Sequence, residues 1–497
     1  MALGRDSLGG PPVWLQDYLK LRRRQAQNQV PRHPTDPTQT QLQLTKTGGS
    51  ETGVTKPGVE ANLALLEAAA PAGLRTVLEG PGQNQPGLPG RLDRGRYGQW
   101  MARYVGCFLG LAVGDALGAP NEFRSQPVTI TGMNGRGRNQ TRRGEWTDDT
   151  SMALCLAHSL LKTHGLDPRD VLEHFLDWFQ LGHFTTAGRA WGVGRTVRAA
   201  LQRFAVTLNP YDCGPDAPSA AGNGSIMRLA PVSLFFAQPR GWLYRDRDTT
   251  DSLTTDSLTT DSLTTDSLTT DSHSALVAEL DRVVVAAAAS SKTTHRAREA
   301  VDGARYLAAL LWGCLRGCPK EQLLSIFPSE FFWSRPGNNL APRILAVARG
   351  SFRDKAVHEL QTSGYVVHTL EAALWAFAHS DSFAEGALLA VNLGGDSDTI
   401  GAVYGQIAGA HYGEPSIPYE WVHALQFHTE FYLYAQDLLH AALEDENQRK
   451  EPTGRAEPTG KIEPKEKADP AGETGPAGRA EPAGKKPRKP NPQPTAA

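Results

Sequence analysis

Apolar residues recur at helical spacing through most of residues 98–445, whereas the flanks of this block show little apolar periodicity. Alanine and leucine dominate the block, and alternation of β-branched residues is scarce. A block of this length can bury a substantial core, so we predict a single all-α domain at residues 98–445. The pattern predicts helices at residues 105–117, 151–162, 171–181, 195–204, 274–290, 296–316, 340–348, 366–379, 382–393, 399–412 and 421–443.

The two flanks have compositions typical of disordered chains. Residues 1–97 are rich in Gln, Pro, Gly and Thr, and residues 446–497 repeat Glu-Pro-Thr-Gly and Glu-Pro-Ala-Gly units among lysines and arginines. Such segments bury too little apolar surface to offset the entropy lost on folding, so we predict an N-terminal arm and a C-terminal tail that are mostly disordered. Within the arm, residues 13–25 and 59–78 have helical patterns.

A tandem repeat of Thr-Thr-Asp-Ser-Leu interrupts the predicted domain at residues 249–272. A five-residue period matches neither one face of an α-helix nor a strand. Loops accept such insertions because closure entropy grows only with the logarithm of loop length. We therefore predict a surface loop without a catalytic role.

Charge and cysteine content exclude several classes of protein. The formal net charge of −2 provides no general attraction to nucleic acid. Five cysteines are few and odd in number, which favours a reducing compartment over a disulfide framework. The start of the chain lacks a signal-peptide pattern, and no apolar run reaches the ~20 residues that span a membrane. These features predict a soluble, cytoplasmic protein, which we expect to be a monomer without a membrane partner.

Two short acidic clusters carry the strongest chemical signal. The first is Thr147-Asp148-Asp149-Thr150, and the second is Asp396-Ser397-Asp398-Thr399, which follows two glycines. Carboxylate and hydroxyl oxygens are the hard donors that Mg²⁺, Mn²⁺ and Ca²⁺ prefer. Asp-Asp-Thr and Asp-Ser-Asp-Thr are also common helix N-caps, and capping is the better explanation for either cluster taken alone. Because carboxylates between apolar runs are costly unless paired or bound to a cation, we favour one shared metal centre.

Four Gly-rich turns occur in order along the block. They are residues 110–123, the first acidic cluster, residues 222–228 and the second acidic cluster. In type, order and spacing, these turns resemble those of the ADP-ribosylglycohydrolase family, and the resemblance covers residues 104–440. It implies an all-helical domain with a central binuclear site for Mg²⁺ or Mn²⁺. The implied metal ligands are Thr147, Asp148, Asp149, Asp396, Asp398 and Thr399.

The resemblance also implies catalytic and substrate-binding residues. Glu122 would be a gate or acid/base group near the scissile ribose, with Asp149 and Asp398 as catalytic carboxylates of the metal shell. Without the resemblance, Glu122 is better explained as a solvated loop carboxylate. The residues implied in holding the ADP-ribose diphosphate and ribose are Gly222, Asn223, Gly224, Ser225, Ile226, Met227, Arg228 and His295. Their own patterns alone indicate a turn and a surface or capping histidine.

One position departs from the family pattern. Bacterial members often carry an aspartate in a Phe-Asp-Ile-Gly stretch, where this chain has Gly192 within residues 190–194. Proton transfer would then depend on Glu122 or on a carboxylate at the metals, or activity would be reduced.

The leading hypothesis is metal-dependent hydrolysis of the bond between C1″ of ADP-ribose and an acceptor, which releases ADP-ribose through an oxocarbenium-like transition state. The substrate would be an ADP-ribosylated protein or small molecule, and nucleic acid enters only as an ADP-ribosylated acceptor. Two alternatives are an ADP-ribose-binding or crystallin-like structural relative with reduced catalysis, and a metal-dependent nucleotide-diphosphate hydrolase. The sequence does not identify the acceptor.

Overall fold

The computed structural model describes residues 13–28, 94–137, 140–239 and 270–444. Across these ranges the chain is helical and forms no β-strand, apart from one isolated bridge between Gly222 and Tyr365, which confirms the all-α prediction. The helices are α1 (Val13–Asn28), α2 (Arg94–Gly118), α3 (Asp148–Thr163), α4 (Pro168–Leu181), α5 (Arg195–Thr207), α6 (Ala230–Phe236), α7 (Thr270–Lys292), α8 (Arg298–Leu315), α9 (Lys320–Leu323), α10 (Glu330–Ser334), α11 (Pro342–Ala348), α12 (Val366–Ala378), α13 (Phe383–Asn392), α14 (Ser397–Tyr412), α15 (Tyr419–Ala424) and α16 (His428–Leu443).

Several predictions concern residues outside the described ranges. These are the disorder expected for most of the arm and for the tail, the helix at residues 59–78, and the repeat as far as residue 269. The last repeat residues, from Thr270, begin α7.

The centre of the fold is a pair of antiparallel helices in backbone contact. α2 carries glycines at every fourth position from Gly106, and they face residues of α14. A Cβ built on Gly110 would lie 2.3 Å from the carbonyl oxygen of Gly405, and one on Gly114 would lie 2.0 Å from that of Gly401. Only glycine allows so close an approach. Because the helices run in opposite directions, the end of α2 meets the start of α14.

The other helices bury this pair. Helices α12, α13 and α16 pack against α2 or α14, and α3 and α6 complete the shell. The faces of α2 that do not contact α14 carry large buried rings, among them Trp100, Tyr104 and Phe108. The end of α2 that meets α14 is therefore enclosed on several sides, and polar groups there are withdrawn from water.

Helix α1 packs onto the domain although it lies far from it in sequence. The Trp14 ring lies 5.2 Å from the Phe184 ring and 5.5 Å from the Phe427 ring. Tyr18 stacks on Tyr434 at 3.7 Å and donates a hydrogen bond of 2.8 Å to Asp437. The helical pattern predicted for residues 13–25 is confirmed, and its apolar face is buried on the domain.

The helix predicted at residues 421–443 is wrong, because the structure divides it into α15 and α16. Phe427 adopts a left-handed conformation with a φ of 51° between the two helices. This break allows the backbone N–H of Gln426 to donate to the Gly144 carbonyl at 3.0 Å, beside the first acidic cluster. A tertiary contact thus decides against a continuous helix. No helix in the described part of the chain is long and apolar enough to cross a membrane.

Candidate functional site

The first acidic cluster begins α3. Thr147 occupies the N-cap position in extended conformation, but its side chain makes no capping hydrogen bond. Trp146 anchors the loop from inside the core, with its indole N–H 3.2 Å from both Ser151 Oγ and the Phe184 carbonyl oxygen. The side chains of Asp148 and Asp149 are consequently available for another role, and both are buried.

Asp115 of α2 holds this loop in place. Its carboxylate accepts hydrogen bonds from the backbone N–H and the hydroxyl of Thr147, at 3.0 and 2.9 Å, and from those of Thr150, at 3.0 and 2.6 Å. Both of its oxygens are used in this way. We did not predict Asp115 as a site residue from the sequence, although it stands as a lone acid within the apolar run of α2. That isolation was the signal that could have identified it.

The second acidic cluster begins α14 after a tight turn. Gly395 has a φ of 64°, and a Cβ there would lie 2.0 Å from the Thr362 carbonyl oxygen, which accepts a hydrogen bond from the Asp396 N–H. Asp396 is the N-cap residue, but its side chain makes no capping hydrogen bond. Capping therefore explains neither cluster, since the side chain at each N-cap position is directed elsewhere.

The antiparallel pairing of α2 and α14 brings the two clusters together. Thr147 Oγ1 lies 3.0 Å from Asp149 Oδ2 and 3.3 Å from Asp398 Oδ2, in addition to its contact with Asp115. A hydroxyl donates only one hydrogen bond, so Thr147 cannot donate to all three carboxylates at once. The carboxylates therefore converge here without enough hydrogen-bond donors between them. Oxygens of Asp115, Asp149 and Asp398 lie within 4.8 Å of one another.

The electrostatics of the cluster favour binding of cations. Burial, together with repulsion from neighbouring carboxylates, raises the pKa values of Asp148, Asp149 and Asp398 well above their usual range. Burial raises the pKa of Asp396 too, and that of Asp115 to about 6. Asp149 Oδ1 is buried and has no hydrogen-bond partner among the described residues. Hard oxygen donors, excess negative charge and a buried oxygen that lacks a partner fit divalent cations such as Mg²⁺ or Mn²⁺.

Glu122 lies at the edge of the cluster, half-buried. One of its carboxylate oxygens is within 4.8 Å of oxygens of Asp396 and Asp398, and its charge contributes to raising the pKa of Asp398. The Asn121 side chain braces its loop by bonding both the N–H and the carbonyl of Val128, at 3.0 and 2.8 Å. The loop therefore presents a carboxylate to the other acids. The acid/base role that the family resemblance implies for Glu122 stays a prediction.

The glycine-rich loop at residues 222–228 adjoins the second cluster. Asn223 Nδ2 donates to Asp396 Oδ2 at 2.7 Å, and the Asn223 backbone N–H donates to the Gly364 carbonyl at 3.0 Å. Ser225 Oγ is buried, and no group in the described part of the chain bonds to it. The carbonyls of Ile226 and Met227 accept from the Gln406 side chain of α14, both at 3.1 Å. The loop is thereby fixed to α14 on one side and to the acids on the other.

Arg228 and His295 lie together beneath this loop. The Arg228 guanidinium is buried over the Phe175 ring, 4.5 Å from its centroid, and donates to Thr294 Oγ1 at 2.7 Å. Because the Arg228 guanidinium is buried, a role in supporting the loop is favoured over the direct contact with diphosphate that the family resemblance implies. His295 is also buried, and its ring lies against Gly222 and Gly224.

Gly192 lies directly beside the metal-ligand candidates. Its φ is 72°, and a Cβ there would lie 2.2 Å from Asp148 Oδ1. A larger residue in this conformation would displace the Asp148 carboxylate. The position at which the sequence departs from the family pattern therefore adjoins the carboxylate cluster.

Comparison with known proteins agrees with this geometry. A family model for ADP-ribosylglycohydrolase matches residues 98–260 and 265–448. The ADP-ribosylarginine hydrolase Tri1 of Pseudomonas putida (strain GB-1) is 34% identical over 345 residues, which are 69% of this chain and 80% of that protein. The ADP-ribosyl-dinitrogen reductase glycohydrolase of Rhodospirillum rubrum is 29% identical over 343 residues, covering 66% of this chain and 92% of the relative.

A solved structure described as an ADP-ribosylglycohydrolase-related protein complex has a TM-score of 0.52 and 38% sequence identity, and the match covers 69% of this chain and 99% of that one. The family match spans well over half of the sequence, including both acidic clusters and the glycine-rich loop. The chain therefore belongs to the ADP-ribosylglycohydrolase family of hydrolases, which cleave ADP-ribose linkages.

Proposed function

We propose that this protein is a divalent-metal-dependent hydrolase that cleaves the C1″ glycosidic bond between ADP-ribose and an acceptor, and releases ADP-ribose. The observation that carries the proposal is the buried carboxylate cluster, with its excess negative charge and the unpartnered Asp149 Oδ1, beside the glycine-rich loop. The set of donors we assign to two cations is Thr147, Asp148, Asp149, Asp396, Asp398 and Thr399.

Bound Mg²⁺ or Mn²⁺ ions would orient the ribose hydroxyls and lower the pKa of a water molecule. The chain positions its own groups around that centre. Asp115 uses both carboxylate oxygens on Thr147 and Thr150, so we assign it the support of the first cluster rather than ligation. Asn223 joins the glycine-rich loop to Asp396, which sets the distance between the diphosphate subsite and the ribose.

Proton transfer falls to Glu122 in this proposal. Gly192 has no side chain to act as a base, and Glu122 is the half-buried acid at the rim of the cluster. Its carboxyl would deliver a proton to the leaving atom of the acceptor as the bond from C1″ to that atom breaks. Water would add to C1″, and the proton that this water loses would pass to solvent. Asp149 and Asp398 would stabilise charge at the reacting ribose.

Arginine is the acceptor we propose to test first. Two ADP-ribosylarginine hydrolases, from Pseudomonas putida and Serratia proteamaculans, are 34% and 31% identical to this chain. The bovine ADP-ribosylhydrolase ARH3 is more distant, at 24% identity.

The test is release of ADP-ribose from arginine-, serine- and DNA-linked substrates with Mg²⁺ or with EDTA. Asp398→Ala is assayed beside the wild type, and Asp437→Ala is the control, because Asp437 is a partly buried acid that contacts Tyr18 and Arg22 instead of the cluster. We expect Mg²⁺-dependent release that Asp398→Ala loses and Asp437→Ala retains.

Each of the other outcomes supports a different function or mechanism. AMP with ribose phosphate as products would indicate a nucleotide-diphosphate hydrolase. Binding of ADP-ribose without release from any substrate would indicate a binding protein. Release that is unchanged by EDTA would reject the metal-dependent mechanism.

A further inference from the structure

Helix α1 packs one aromatic ring against two segments of the domain that are distant from each other in sequence. The Trp14 side chain is buried, and its ring centroid lies 5.2 Å from that of Phe184 and 5.5 Å from that of Phe427. Phe184 follows α4, whereas Phe427 lies between α15 and α16. Helix α1 precedes residue 98, where the match to the family model begins, so this contact lies outside the part of the chain that the family pattern covers.

Phe184 and Phe427 share an uncommon backbone conformation. Their φ angles are 58° and 51°, in the left-handed region that favours glycine. A residue with a large side chain keeps this conformation only where the surrounding contacts hold it. Because both rings pack against Trp14, α1 supplies one such contact to each of the two positions.

Both positions are joined to the loop that leads into the first acidic cluster. The Phe184 carbonyl oxygen lies 3.2 Å from the indole nitrogen of Trp146, and the Phe427 ring centroid lies 6.0 Å from that of Trp146. The backbone N–H of the residue before Phe427 donates to the Gly144 carbonyl at 3.0 Å. Trp146 directly precedes Thr147 in the sequence. The two contacts of Trp14 therefore converge on the residues that hold the start of the first acidic cluster.

The remainder of the buried face of α1 is anchored on α16. Trp14, Tyr18 and Arg22 recur at every fourth position, so they share one face of the helix. Tyr18 stacks on Tyr434 with ring centroids 3.7 Å apart, and its hydroxyl donates to Asp437 Oδ2 at 2.8 Å. Arg22 Nε lies 2.9 Å from the same oxygen. One part of α1 thus contacts the segments beside the first acidic cluster, and another part fixes the helix to the domain.

We propose that Trp14 is a positioning residue for the metal centre, which holds Trp146 and the first acidic cluster in place by packing on Phe184 and Phe427. The inference rests on the proposed function, because it concerns cations bound at the carboxylate cluster. Trp14 acts through the aromatic residues and not as a ligand. Docking of α1 and binding of the cations are then coupled, and thermodynamic linkage requires each to strengthen the other by the same factor.

The first experiment titrates Mn²⁺ into the full chain by calorimetry. Trp14→Ala removes the ring that contacts both phenylalanines, and we expect the Mn²⁺ affinity to fall roughly tenfold, as for other groups that orient metal ligands. Trp14→Phe keeps an aromatic ring and should retain most of the affinity. Tyr18→Phe is the matched control, because it removes a hydrogen bond of the same helix at α16 and leaves Trp14 unchanged. We expect it to bind Mn²⁺ as the wild type does.

The outcomes of this titration distinguish the inference from the proposed function. Wild-type Mn²⁺ affinity in Trp14→Ala would overturn the inference. Equal losses in Trp14→Ala and Tyr18→Phe would also overturn it, since the effect would then not come from the rings that Trp14 contacts. Failure of the wild type to bind Mn²⁺ would instead reject the metal-dependent function.

The second experiment needs no substitution in α1. Amide hydrogen exchange of residues 14–22 is followed by mass spectrometry on the wild type, with saturating Mg²⁺ or with EDTA. Because bound cations should stabilise the docked helix, we expect Mg²⁺ to slow this exchange by roughly the tenfold expected for the affinity. In Asp398→Ala, which lacks a proposed ligand, Mg²⁺ should leave the exchange of α1 unchanged. Exchange of wild-type α1 that does not respond to Mg²⁺, while that of α3 slows, would contradict the coupling.

Discussion

The carboxylate cluster lies on one side of Asn223, and the chain of contacts from Arg228 through Thr294 to His295 lies on the other. The two regions accommodate buried polar groups in opposite ways. In the cluster, acids face one another and Asp149 Oδ1 has no partner within the described protein. In the chain, the Arg228 charge has Thr294 as an acceptor and Phe175 as an aromatic face. The first region gathers like charges and is incomplete without a cation. The second pairs both Arg228 Nη atoms internally and leaves Nε without a partner among the described residues.

This contrast distinguishes side chains that bind a cation from side chains that stabilise the fold. Like charges buried together raise the free energy of the metal-free folded state. A bound cation offsets this repulsion and stabilises the folded protein. An internally bonded chain gains nothing from a cation and loses stability when any member is removed. Substitutions in the two regions should therefore have opposite effects on the stability of the metal-free protein.

The largest effect is expected from Asp149→Asn. Removing this charge should raise the Tm of EDTA-treated protein by about 2–4 °C, since the cost of burying the charge and its repulsion with Asp115 and Asp396 are relieved. The same variant should lose the Tm increase that Mg²⁺ gives the wild type. Differential scanning fluorimetry with Mg²⁺ or EDTA measures both.

Asp302→Asn is the contrasting control for that prediction. Asp302 is also buried, but Arg305 Nη1 and the Ala341 N–H donate to it at 2.9 and 2.8 Å. Its substitution should lower the Tm with Mg²⁺ and with EDTA alike. A lower metal-free Tm for Asp149→Asn would show that the cluster is not under electrostatic repulsion.

Asp115→Asn should weaken metal binding by roughly 10- to 100-fold, as expected for a residue that orients ligands. The amide keeps one acceptor oxygen and cannot hold both Thr147 and Thr150 as the carboxylate does. Titration of Mn²⁺ by calorimetry measures the change. Asp437→Asn, at the contact with α1, should leave the Mn²⁺ affinity unchanged. Unchanged affinity in Asp115→Asn would mean that the first cluster is held without it.

Gly118→Ala tests how the α2–α14 pair positions the cluster. A Cβ there would lie 2.3 Å from the Ser397 carbonyl oxygen and 2.6 Å from Asp398 Cα, so the helices must separate at the site. Gly106→Ala creates an equal overlap at the other end of the pair, 2.2 Å from the Gly409 carbonyl oxygen. Both should destabilise the fold, by about 1–3 kcal/mol.

Only the Gly118 variant should also weaken Mn²⁺ binding, by roughly tenfold, because it moves a ligand. Equal losses of Mn²⁺ affinity in the two variants would show that the whole interface, rather than its site end, controls the cluster.

The smallest effect concerns a lone buried acid. Burial raises the pKa of Glu430 to about 7, so the folded chain holds its proton more tightly than the unfolded chain. Glu430 should therefore cost nothing below about pH 4.5, and stability should decline as the pH rises through 7.

Glu430→Gln should remove that decline and raise the urea midpoint at pH 8 but not at pH 4. Mg²⁺ should not reproduce the effect of the mutation, because no carboxylate of the described residues contributes to the raised pKa of Glu430. An unchanged midpoint at pH 8 would contradict the prediction.

Much of the fold was predictable because helical periodicity is a local property. The patterns at residues 195–204 and 399–412 correspond to α5 and α14. Helix ends depended on distant contacts. α2 begins at Arg94 rather than near residue 105, and the break at Phe427 follows from a backbone bond to Gly144.

The candidate site was predictable in its residue types and less so in its roles. The acids and the glycine-rich loop were identified from four motifs, and the fold brings them together. Asp115 was missed because its partners are 32 and 35 residues away in sequence. Arg228 was expected at a diphosphate, but the residues around it form a buried acceptor and an aromatic face.

The sequence by itself determined an all-helical domain with two sets of hard oxygen donors, because periodicity and side-chain chemistry are local properties of the sequence. Only the tertiary structure decided that Asp115 bonds to the first set, that Gly192 lies against Asp148, and that Arg228 is buried against Thr294. Hydrogen-bond partners and burial depend on which distant segments meet. The meeting of the two acidic clusters depends on the backbone contact of α2 with α14, which no single motif encodes.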